Sequence, residues 1–308
     1  MDYIKIAKTG KYLPGKEIDN NKLEKTLGLE SGYIYKRTGI KERYYTQETI
    51  EEMAVKAVQN MMNKEELVTQ NIGLIIVATT TTNQLMPGIS NKIQKECGIN
   101  RCICLDILAG CSGYINAFDI ARMHIQTGII EKALIVGVDI LSKYTDNKDI
   151  GTSIILSDGA GATLIERTDK RKIYNSHIEA ESENNEILTC TTNQKISMNG
   201  KEIYRYAVTE TVKNIEQLLK QSNEELKNIK YIIPHQSNMK IMKAIASRLN
   251  IKMDKVYTNI KNTGNTFCAS IPIVLDEIIK KKLLNDGDKI ILLGYGGGLN
   301  TGSILLEI

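Results

Sequence analysis

The strongest constraint on the fold of this chain is an internal repeat whose two copies are offset by 157 positions (74 aligns with 231). The matches at this offset are 74–76 with 231–233, 134–137 with 291–294, Asp119 with Asp276, and Cys111 with Cys268. The matched segments keep the same order in both copies. This indicates a duplicated unit in which equivalent strand ends lie side by side, a natural place for a composite active site.

Strand-like and helix-like segments alternate along the whole chain. Short β-branched or aliphatic runs occupy 74–78, 102–108, 133–138, 231–233 and 289–293. Longer segments rich in helix-forming residues occupy 90–97, 114–126, 239–249 and 273–284. Such alternation is typical of α/β proteins. We therefore predict an α/β fold of two packed halves, residues 1–166 and 167–308, related by a pseudo-twofold axis.

Composition excludes several classes of function. The chain has 308 residues, which is long enough for a large core. Its formal charge of +4 is too weakly basic to indicate nucleic-acid binding. No apolar run approaches the roughly 18–20 residues of a membrane span. The first residues lack the apolar core of a signal peptide. We therefore expect a cytoplasmic protein without nucleic-acid or membrane partners, with its six cysteines reduced.

The segment around Cys111 has the pattern of a strand, a tight turn and a helix. The turn AGCSG at 109–113 contains two glycines, and an apolar helix-like segment follows it as far as Gln126. At a helix N-terminus the backbone N–H groups favour a thiolate and lower the thiol pKa. We interpret Cys111 as a nucleophile; the alternative is a purely structural core cysteine. Cys102 and Cys104 have no histidine or cysteine cluster nearby, so no metal site is predicted.

One histidine and one asparagine also occupy positions suited to chemistry. His235 follows a strand-like run, at the carboxyl end where α/β sheets place their ligands. At the offset of the repeat it replaces Ala78 of the first half. Asn265 lies in the turn NTGNT at 262–266, where an asparagine commonly serves only as a turn or cap residue. Taken with Cys111, these residues favour a Cys-His-Asn active site.

Motifs spread over nearly the whole chain carry a resemblance to a known family. They are RTGI-x-x-R at 37–43, AGCSG at 109–113, SDGAGA at 157–162, MNGKEIYRYAV at 198–208, PHQSN at 234–238, GNTFCASIP at 264–272 and YGGG at 295–298. In these motifs the chain resembles the ketoacyl synthase III family, which initiates fatty-acid synthesis and belongs to the thiolase-like superfamily. The resemblance implies a thiolase-like fold with duplicated αβαβα layered halves, and a homodimer.

The resemblance also implies an activity. Cys111 resembles the nucleophile that takes an acyl group from a coenzyme A thioester, with the N–H groups of Cys111 and Gly297 as the oxyanion hole. His235 and Asn265 would donate hydrogen bonds to the enolate that forms when malonyl-acyl carrier protein loses carbon dioxide. The implied product of this decarboxylative Claisen condensation is a 3-oxoacyl-acyl carrier protein. No metal or redox cofactor is implied.

Further residues match binding positions of the family. The implied sets are Tyr33, Arg37, Thr38 and Asn238 for the acyl donor; Met86, contributed by the partner subunit, and Tyr295 for the acyl pocket; and Arg205, Lys240 and Arg248 for acyl carrier protein. The family typically has tryptophan in place of Tyr33 and often arginine in place of Ile150. Because those two side chains hold the adenine of coenzyme A, the donor stays open. Because Met86 is flexible, the acyl-chain length stays open as well.

Three alternatives to the initiation of fatty-acid synthesis follow from the same residues. The first is a specialised condensing enzyme or acyltransferase of secondary metabolism with a different donor, which the altered adenine site favours. The second is a cysteine hydrolase, since papain-like proteases use Cys, His and Asn in this chain order. Their flanking signature is absent, and the repeat does not fit them. The third is a non-catalytic binding subunit, against which the intact Cys-His-Asn set argues.

Overall fold

A computed structural model describes residues 3–15, 17–63, 70–183, 185–191 and 194–308. Its first elements are β1 (Tyr3–Tyr12), β2 (Glu17–Asp19), α1 (Asn20–Leu27), α2 (Tyr33–Thr38), β3 (Glu42–Tyr44), α3 (Ile50–Met62), β4 (Ile72–Ala78), α4 (Ile89–Glu96), β5 (Ile103–Ile107), α5 (Gly113–Gln126), β6 (Lys132–Asp139), α6 (Ile150–Ser153) and β7 (Gly159–Thr168). The others are β8 (Tyr174–Ala180), β9 (Leu188–Thr189), β10 (Ser197–Met198), α7 (Gly200–Ser222), β11 (Ile229–Pro234), α8 (Met239–Arg248), α9 (Ile260–Thr263), α10 (Ser270–Lys280), β12 (Lys289–Gly296) and β13 (Asn300–Glu307). Every segment predicted as a strand or a helix corresponds to one of these elements.

The longer strands form two sheets. The five-stranded sheet has the order β1-β7-β6-β4-β5, and the four-stranded sheet has the order β11-β12-β13-β8. β4 is parallel to β5 and β6, and β11 is parallel to β12, whereas β7 and β13 run antiparallel to their neighbours. The first sheet uses strands up to Thr168 and the second uses strands from Tyr174 onward. The predicted boundary between residues 166 and 167 therefore lies inside β7.

The internal repeat is visible in the bounds of the elements. The pairs that keep its offset are β4 with β11, α5 with α10, β6 with β12, and the 3-10 turn Gly110–Ser112 with the 3-10 turn Phe267–Ala269. The turn that contains Cys111 and leads into α5 thus has a counterpart that contains Cys268 and leads into α10. Two equivalent helix starts therefore face the centre of the molecule.

Helices and sheets stack in five layers. α3 and α4 cover the outer face of the five-stranded sheet, α5 and α10 lie between the sheets, and α7 and α8 cover the outer face of the four-stranded sheet. The predicted α/β, thiolase-like fold is therefore confirmed. One detail differs: the αβαβα order belongs to the whole molecule. Each half supplies one sheet, its outer helices and one central helix, because α5 and α10 bury apolar side chains against both sheets.

Local signals set the ends of several elements. α3 begins with a capping box in which the hydroxyl of Thr49 accepts from the N–H of Glu52, and the Glu52 carboxylate accepts from the N–H of Thr49. α10 ends at Lys280, before the predicted end at residue 284. The reason is a left-handed residue, Lys282, whose φ of 54° turns the chain out of the helix.

The glycine run at 294–298 forms the hairpin predicted between two strands. β12 and β13 pair antiparallel, with Gly296 opposite Asn300, and no helix follows the run. The hairpin reaches the turn that contains Cys111, so the last strands of the chain help to build the site.

Neither a membrane-spanning helix nor a metal-binding group of side chains occurs among the described residues. Across 3–15, 17–63, 70–183, 185–191 and 194–308, no helix is both long and apolar enough to cross a bilayer. Within the same ranges no three His, Cys, Asp or Glu side chains are grouped as a metal site would need. All six cysteines are free thiols.

Candidate active site

Cys111 lies in a single 3-10 turn between β5 and α5. The turn is sharp because Gly110 has a left-handed backbone, with φ of 59°, a conformation open to glycine without steric cost. A Cβ atom on Gly110 would collide with the carbonyl oxygen of Gly297. A Cβ atom on Gly296 would lie 2.9 Å from the sulfur of Cys111. The glycines therefore let the terminal hairpin approach the cysteine closely.

The surroundings of Cys111 raise the pKa of its thiol to about 12. Burial is the main cause, and the carboxylate of Asp139 adds to it. Hydrogen bonds from the backbone N–H groups of Gly297 and of Cys111 itself act in the opposite direction. The lowered pKa predicted from the helix N-terminus is therefore wrong, because desolvation outweighs the backbone donors. Those two N–H groups nevertheless converge on the sulfur.

His235 immediately follows β11, at the carboxyl end of the strand. Its backbone N–H donates to the carbonyl of Leu293 (2.7 Å), and its Nδ1 lies 2.7 Å from the hydroxyl oxygen of Ser270. Burial lowers the pKa of the imidazole to about 3, so the ring is neutral at physiological pH. A neutral ring whose Nδ1 accepts from the Ser270 hydroxyl carries its proton on Nε2, where it is available to a ligand.

The lowered pKa of His235 predicts a specific loss of stability in acid. An unfolded histidine has a pKa of about 6.5, so below this pH the unfolded state binds a proton that the folded state does not. Through this residue the free energy of unfolding should fall by about 1.4 kcal/mol per pH unit from pH 6.5 towards the folded pKa of about 3. Above pH 6.5 it adds no pH dependence. Urea titrations at pH 7, 6 and 5 should show a steeper decline for the wild type than for His235→Gln; equal slopes would contradict a buried neutral ring.

Asn265 is fixed through both its backbone and its side chain. Its N–H donates to the carbonyl of Ile155 (3.0 Å), and its carbonyl accepts from the N–H of Ser157 (2.9 Å). These bonds tie the second half of the chain to the first. The Oδ1 of Asn265 accepts from the N–H of Phe267 (3.0 Å). The amide is therefore oriented so that its NH2 group is the part left to donate to a ligand.

Two cavities meet at Cys111. The first cavity, of about 350 Å³, is lined by Thr80, Thr81, Leu108, Leu188, Ile196 and Phe267 together with Cys111. The second cavity, of about 140 Å³, is lined by Cys111, His235, Asn265, Tyr295, Asn238 and Lys240, again with Leu188 and Phe267. The structure thus brings the cysteine, the histidine and the asparagine to one cavity, and a second space for a ligand opens from the same sulfur.

The two residues predicted for the acyl pocket lie in different places. Tyr295 lines the second cavity, where its ring packs edge-on against His235 with ring centres 5.4 Å apart. Its hydroxyl is hydrogen-bonded to Ser237 (2.7 Å). The side chain of Tyr295 therefore faces the histidine, and its role in an acyl pocket stays a prediction. Met86 is 81% exposed and lines neither cavity of its own chain.

Tyr33 and Arg37, two residues predicted to bind the donor, pair on the surface of α2. The guanidinium carbon of Arg37 lies 5.6 Å from the centre of the Tyr33 ring, a cation–π arrangement. Ile150, which stands where the family often has arginine, is 38% exposed at the start of α6. The surface is therefore aromatic and basic on α2 and apolar at α6.

Thr38 and Asn238, the other two residues predicted to bind the donor, differ in their access. Asn238 lines the second cavity, and its Oδ1 caps α8 by accepting a backbone N–H of the first turn. Thr38 is buried, and its hydroxyl donates to the carbonyl of Ile34 (2.7 Å) and accepts from the N–H of Ile40 (3.0 Å). The Thr38 side chain therefore closes the end of α2, and its contact with a donor stays a prediction.

The residues predicted to bind a carrier protein lie on two packed helices. Arg205 is on α7, and Lys240 and Arg248 are on α8. Arg205 is ion-paired with Glu202 (2.9 Å), and the Arg248 guanidinium donates to the hydroxyl of Thr209 (3.2 Å) on α7. Lys240 lines the second cavity. Arg248 therefore joins the two helices in addition to contributing charge.

The structure adds residues that the sequence analysis did not single out. Leu188 and Phe267 line both cavities, Ser270 contacts the imidazole, and Asp139 is a buried carboxylate beside the thiol. Phe267 and Ser270 lie in the motif at 264–272, so a signal for them was present in the sequence. Leu188 lies in a polar segment that has no distinguishing pattern.

Comparisons of sequence assign this chain to a known group of proteins. Residues 105–182 match the family described as 3-oxoacyl-[acyl-carrier-protein (ACP)] synthase III, and residues 219–308 match the family described as its C terminal. A beta-ketoacyl-[acyl-carrier-protein] synthase III of Clostridium botulinum (strain 657 / Type Ba4) is 39% identical over 326 residues. That alignment covers 99% of this chain and 99% of the relative.

Solved structures agree with this assignment. The 3-oxoacyl-[acyl-carrier-protein] synthase III of Aquifex aeolicus VF5 matches with a TM-score of 0.96 and 35% identity, covering 99% of this chain and 100% of that one. The priming beta-ketosynthase of the R1128 polyketide biosynthetic pathway matches with a TM-score of 0.93 and 25% identity, covering 99% and 96%. The chain therefore belongs to the 3-oxoacyl-[acyl-carrier-protein] synthase III family.

Proposed function

We propose that this chain catalyses the decarboxylative Claisen condensation of an acyl-coenzyme A with malonyl-acyl carrier protein, the step that initiates fatty-acid synthesis. The observation that carries the proposal is the convergence of Cys111, His235 and Asn265 on one cavity, with the N–H groups of Cys111 and Gly297 at the sulfur. Relatives aligned over nearly their full length bear the name of this activity.

In the first half-reaction the sulfur of Cys111 attacks the carbonyl carbon of the donor thioester. A new C–S bond forms, the C–S bond to coenzyme A breaks, and the thiol proton leaves with the departing thiol. The N–H groups of Cys111 and Gly297 stabilise the negative charge that develops on the carbonyl oxygen. Because burial keeps the thiol protonated at rest, the proton moves as the C–S bond forms. The acyl chain then occupies the first cavity.

In the second half-reaction the malonyl thioester occupies the second cavity. Its bond to the carboxylate breaks, carbon dioxide leaves, and the electron pair becomes a thioester enolate. Nε2–H of His235 and the NH2 group of Asn265 donate to the enolate oxygen, a role that suits a neutral imidazole and an amide. The enolate carbon attacks the acyl carbon, the C–S bond to Cys111 breaks, and the thiolate takes up a proton from solvent.

We further propose that the reaction uses no metal or redox cofactor and takes place in the cytoplasm. The loss of carbon dioxide supplies the carbanion, so the chemistry balances without a further co-reactant. Six free thiols suit a reducing compartment.

A second candidate is a priming condensing enzyme of secondary metabolism that takes a different donor. Tyr33 and Ile150 alter the predicted adenine site, and the exposed Ile150 brings no cation there. The structural match with a priming ketosynthase of a polyketide pathway also favours this candidate. Both candidates share the catalytic residues and differ only in the donor.

Identification of the product tests both candidates. The purified chain is supplied with malonyl-acyl carrier protein and with acetyl, butyryl or isobutyryl groups, each on coenzyme A or on carrier protein, and carrier-bound products are identified by mass spectrometry. A 3-oxoacyl carrier protein made from coenzyme A donors supports initiation. The same product from carrier-bound donors alone supports the second candidate. Release of free acid without condensation would contradict both and indicate a hydrolase.

Carrier binding is expected to depend on the cations of α7 and α8. Acyl carrier proteins are acidic, so positive charge beside the second cavity should attract them. Lys240→Glu combined with Arg248→Glu should raise the KM for malonyl-acyl carrier protein roughly tenfold, and more at low salt. Acylation of Cys111 by acyl-coenzyme A should be nearly unchanged. The control, Lys227→Glu with Lys252→Glu, reverses two charges at a separate surface cavity; an equal loss in both half-reactions would refute a role in carrier binding.

We also propose that the chain forms a homodimer through the edge of the five-stranded sheet. β5 is an edge strand, and Ile103, Leu105 and Leu108 are 38%, 37% and 70% exposed. An edge strand with exposed apolar side chains is suited to pairing with a second copy. In such a dimer the exposed Met86 of one subunit would be available to the first cavity of the other. Light scattering should give twice the chain mass of 34.4 kDa; the mass of one chain would contradict the dimer.

A further inference from the structure

Phe267 combines a strained backbone with a place beside the nucleophile. Its φ of 45° lies in the left-handed region, which is unfavourable for a bulky side chain. Two hydrogen bonds hold this conformation. The N–H of Phe267 donates to Oδ1 of Asn265 (3.0 Å), and the N–H of Cys268 donates to Oδ2 of Asp139 (2.9 Å). Backbone strain that neighbouring groups maintain in this way is common at functional sites.

The side chain of Phe267 stands where the two cavities meet. Among the described residues that line them, only Cys111, Leu188 and Phe267 belong to both cavities. Phe267 is 8% exposed and packs in one cluster with Cys111. Its ring centre lies 6.4 Å from that of His235, with the planes at 74°. The ring therefore faces the sulfur, the imidazole and the first cavity at once.

We propose that Phe267 is a specificity-determining partition that favours condensation over hydrolysis by keeping water from acyl-Cys111 until the malonyl group arrives. The inference rests on the proposed function. Tyr204, which lines the second cavity, is 42% exposed, so that cavity opens towards solvent. Because Phe267 lines both cavities, removal of its ring is expected to join them beside the sulfur.

The reaction that the ring suppresses is hydrolysis of the acyl-enzyme. Water oxygen bonds to the acyl carbon, the C–S bond to Cys111 breaks, one proton passes to the thiolate, and the acyl group leaves as a free acid. Exclusion of water from a reactive intermediate is a known function of closed sites. The apolar ring of Phe267 performs it without contributing a group to either half-reaction.

The lifetime of the acyl-enzyme tests this proposal. The wild type and each variant are acetylated with acetyl-coenzyme A and desalted, and the adduct on Cys111 is followed by intact-protein mass spectrometry without malonyl carrier protein. Phe267→Ala removes the ring, Phe267→Gly also relieves the left-handed backbone, and Phe267→Leu keeps most of the bulk. We expect loss of the acetyl group, with release of acetate, to be roughly tenfold faster in the alanine and glycine variants. The leucine variant should resemble the wild type.

The set of variants separates the effect of the Phe267 ring on the acyl-enzyme lifetime from effects of backbone strain and of misfolding. Faster hydrolysis in the glycine variant alone would assign the effect to the backbone and overturn the proposal, as would equal lifetimes in all four proteins. Product formed per acetyl group consumed should fall in the alanine and glycine variants and recover with leucine. Should the Phe267 variants fail to fold, Leu188→Ala opens the same junction from its other wall, and an unchanged lifetime there would overturn the proposal. A wild type that accepts no acyl group from any donor would instead refute the proposed function.

Discussion

Replacement of Cys111 by alanine is expected to abolish the acyl adduct and to lower condensation by at least about 10⁴-fold. The substitution removes the sulfur that accepts the acyl group, while Gly297 of the first cavity and the rest of the second cavity stay in place. Intact-protein mass spectrometry after incubation with acyl-coenzyme A measures the adduct directly. The wild type should gain the mass of one acyl group and Cys111→Ala should gain none.

Two other cysteines serve as a control and as an alternative nucleophile. Cys97 packs on the outer side of the five-stranded sheet, so Cys97→Ala should keep the adduct. Cys268 is the counterpart of Cys111 in the repeat, but its thiol is buried and donates to the carbonyl of Gly110 (3.1 Å). It lines neither cavity. An adduct that persists in Cys111→Ala and maps to Cys268 would refute the assignment of the nucleophile.

His235→Ala and Asn265→Ala are expected to separate the two half-reactions. Cys111 should still be acylated in each variant, because the hydrogen-bond donors proposed for that step are the backbone N–H groups at the sulfur. Each should lose decarboxylation of malonyl-acyl carrier protein by about a hundred- to a thousandfold, since one donor to a developing oxyanion contributes about 2.7–4 kcal/mol. Release of carbon dioxide from labelled malonyl carrier protein measures the loss.

Matched variants of the same residue types serve as controls. His177 lies on β8 and Asn262 is exposed on α9, and neither lines the two cavities. His177→Ala and Asn262→Ala should therefore decarboxylate the malonyl group at the rate of the wild type. Near-normal decarboxylation in both His235→Ala and Asn265→Ala would show that these two residues do not stabilise the enolate.

The sequence predicted the layered fold because the repeat is a property of whole elements. The strands that start at Ile72 and Ile229 keep the same apolar pattern, and the helices that start at Gly113 and Ser270 keep the same place in the order of elements. The turns that carry Cys111 and Asn265 were visible as well, because small or turn-forming residues surround both. These signals are local in the chain, so they can be recognised in the sequence without knowledge of tertiary contacts.

Other properties of the site arise from contacts between distant segments, which no local pattern records. The raised pKa of the Cys111 thiol depends on burial and on Asp139, neither of which the helix N-terminus reveals. Tyr295 lies within the glycine run, yet only the packing of β12 against β11 shows that its ring faces His235. The position of Phe267 between the cavities likewise depends on both halves of the chain.

The central claim, that acyl-Cys111 is the intermediate of a condensation, is tested most directly by a single-turnover chase. The chain is acylated with labelled acyl-coenzyme A, freed of excess donor and mixed rapidly with malonyl-acyl carrier protein. Quenched samples are then analysed for label on the peptide that contains Cys111 and on the carrier protein. If acyl-Cys111 is the intermediate, the label should leave Cys111 at the rate at which 3-oxoacyl carrier protein appears. Label that stays on Cys111 while product forms, or that leaves it only as free acid, would contradict the account.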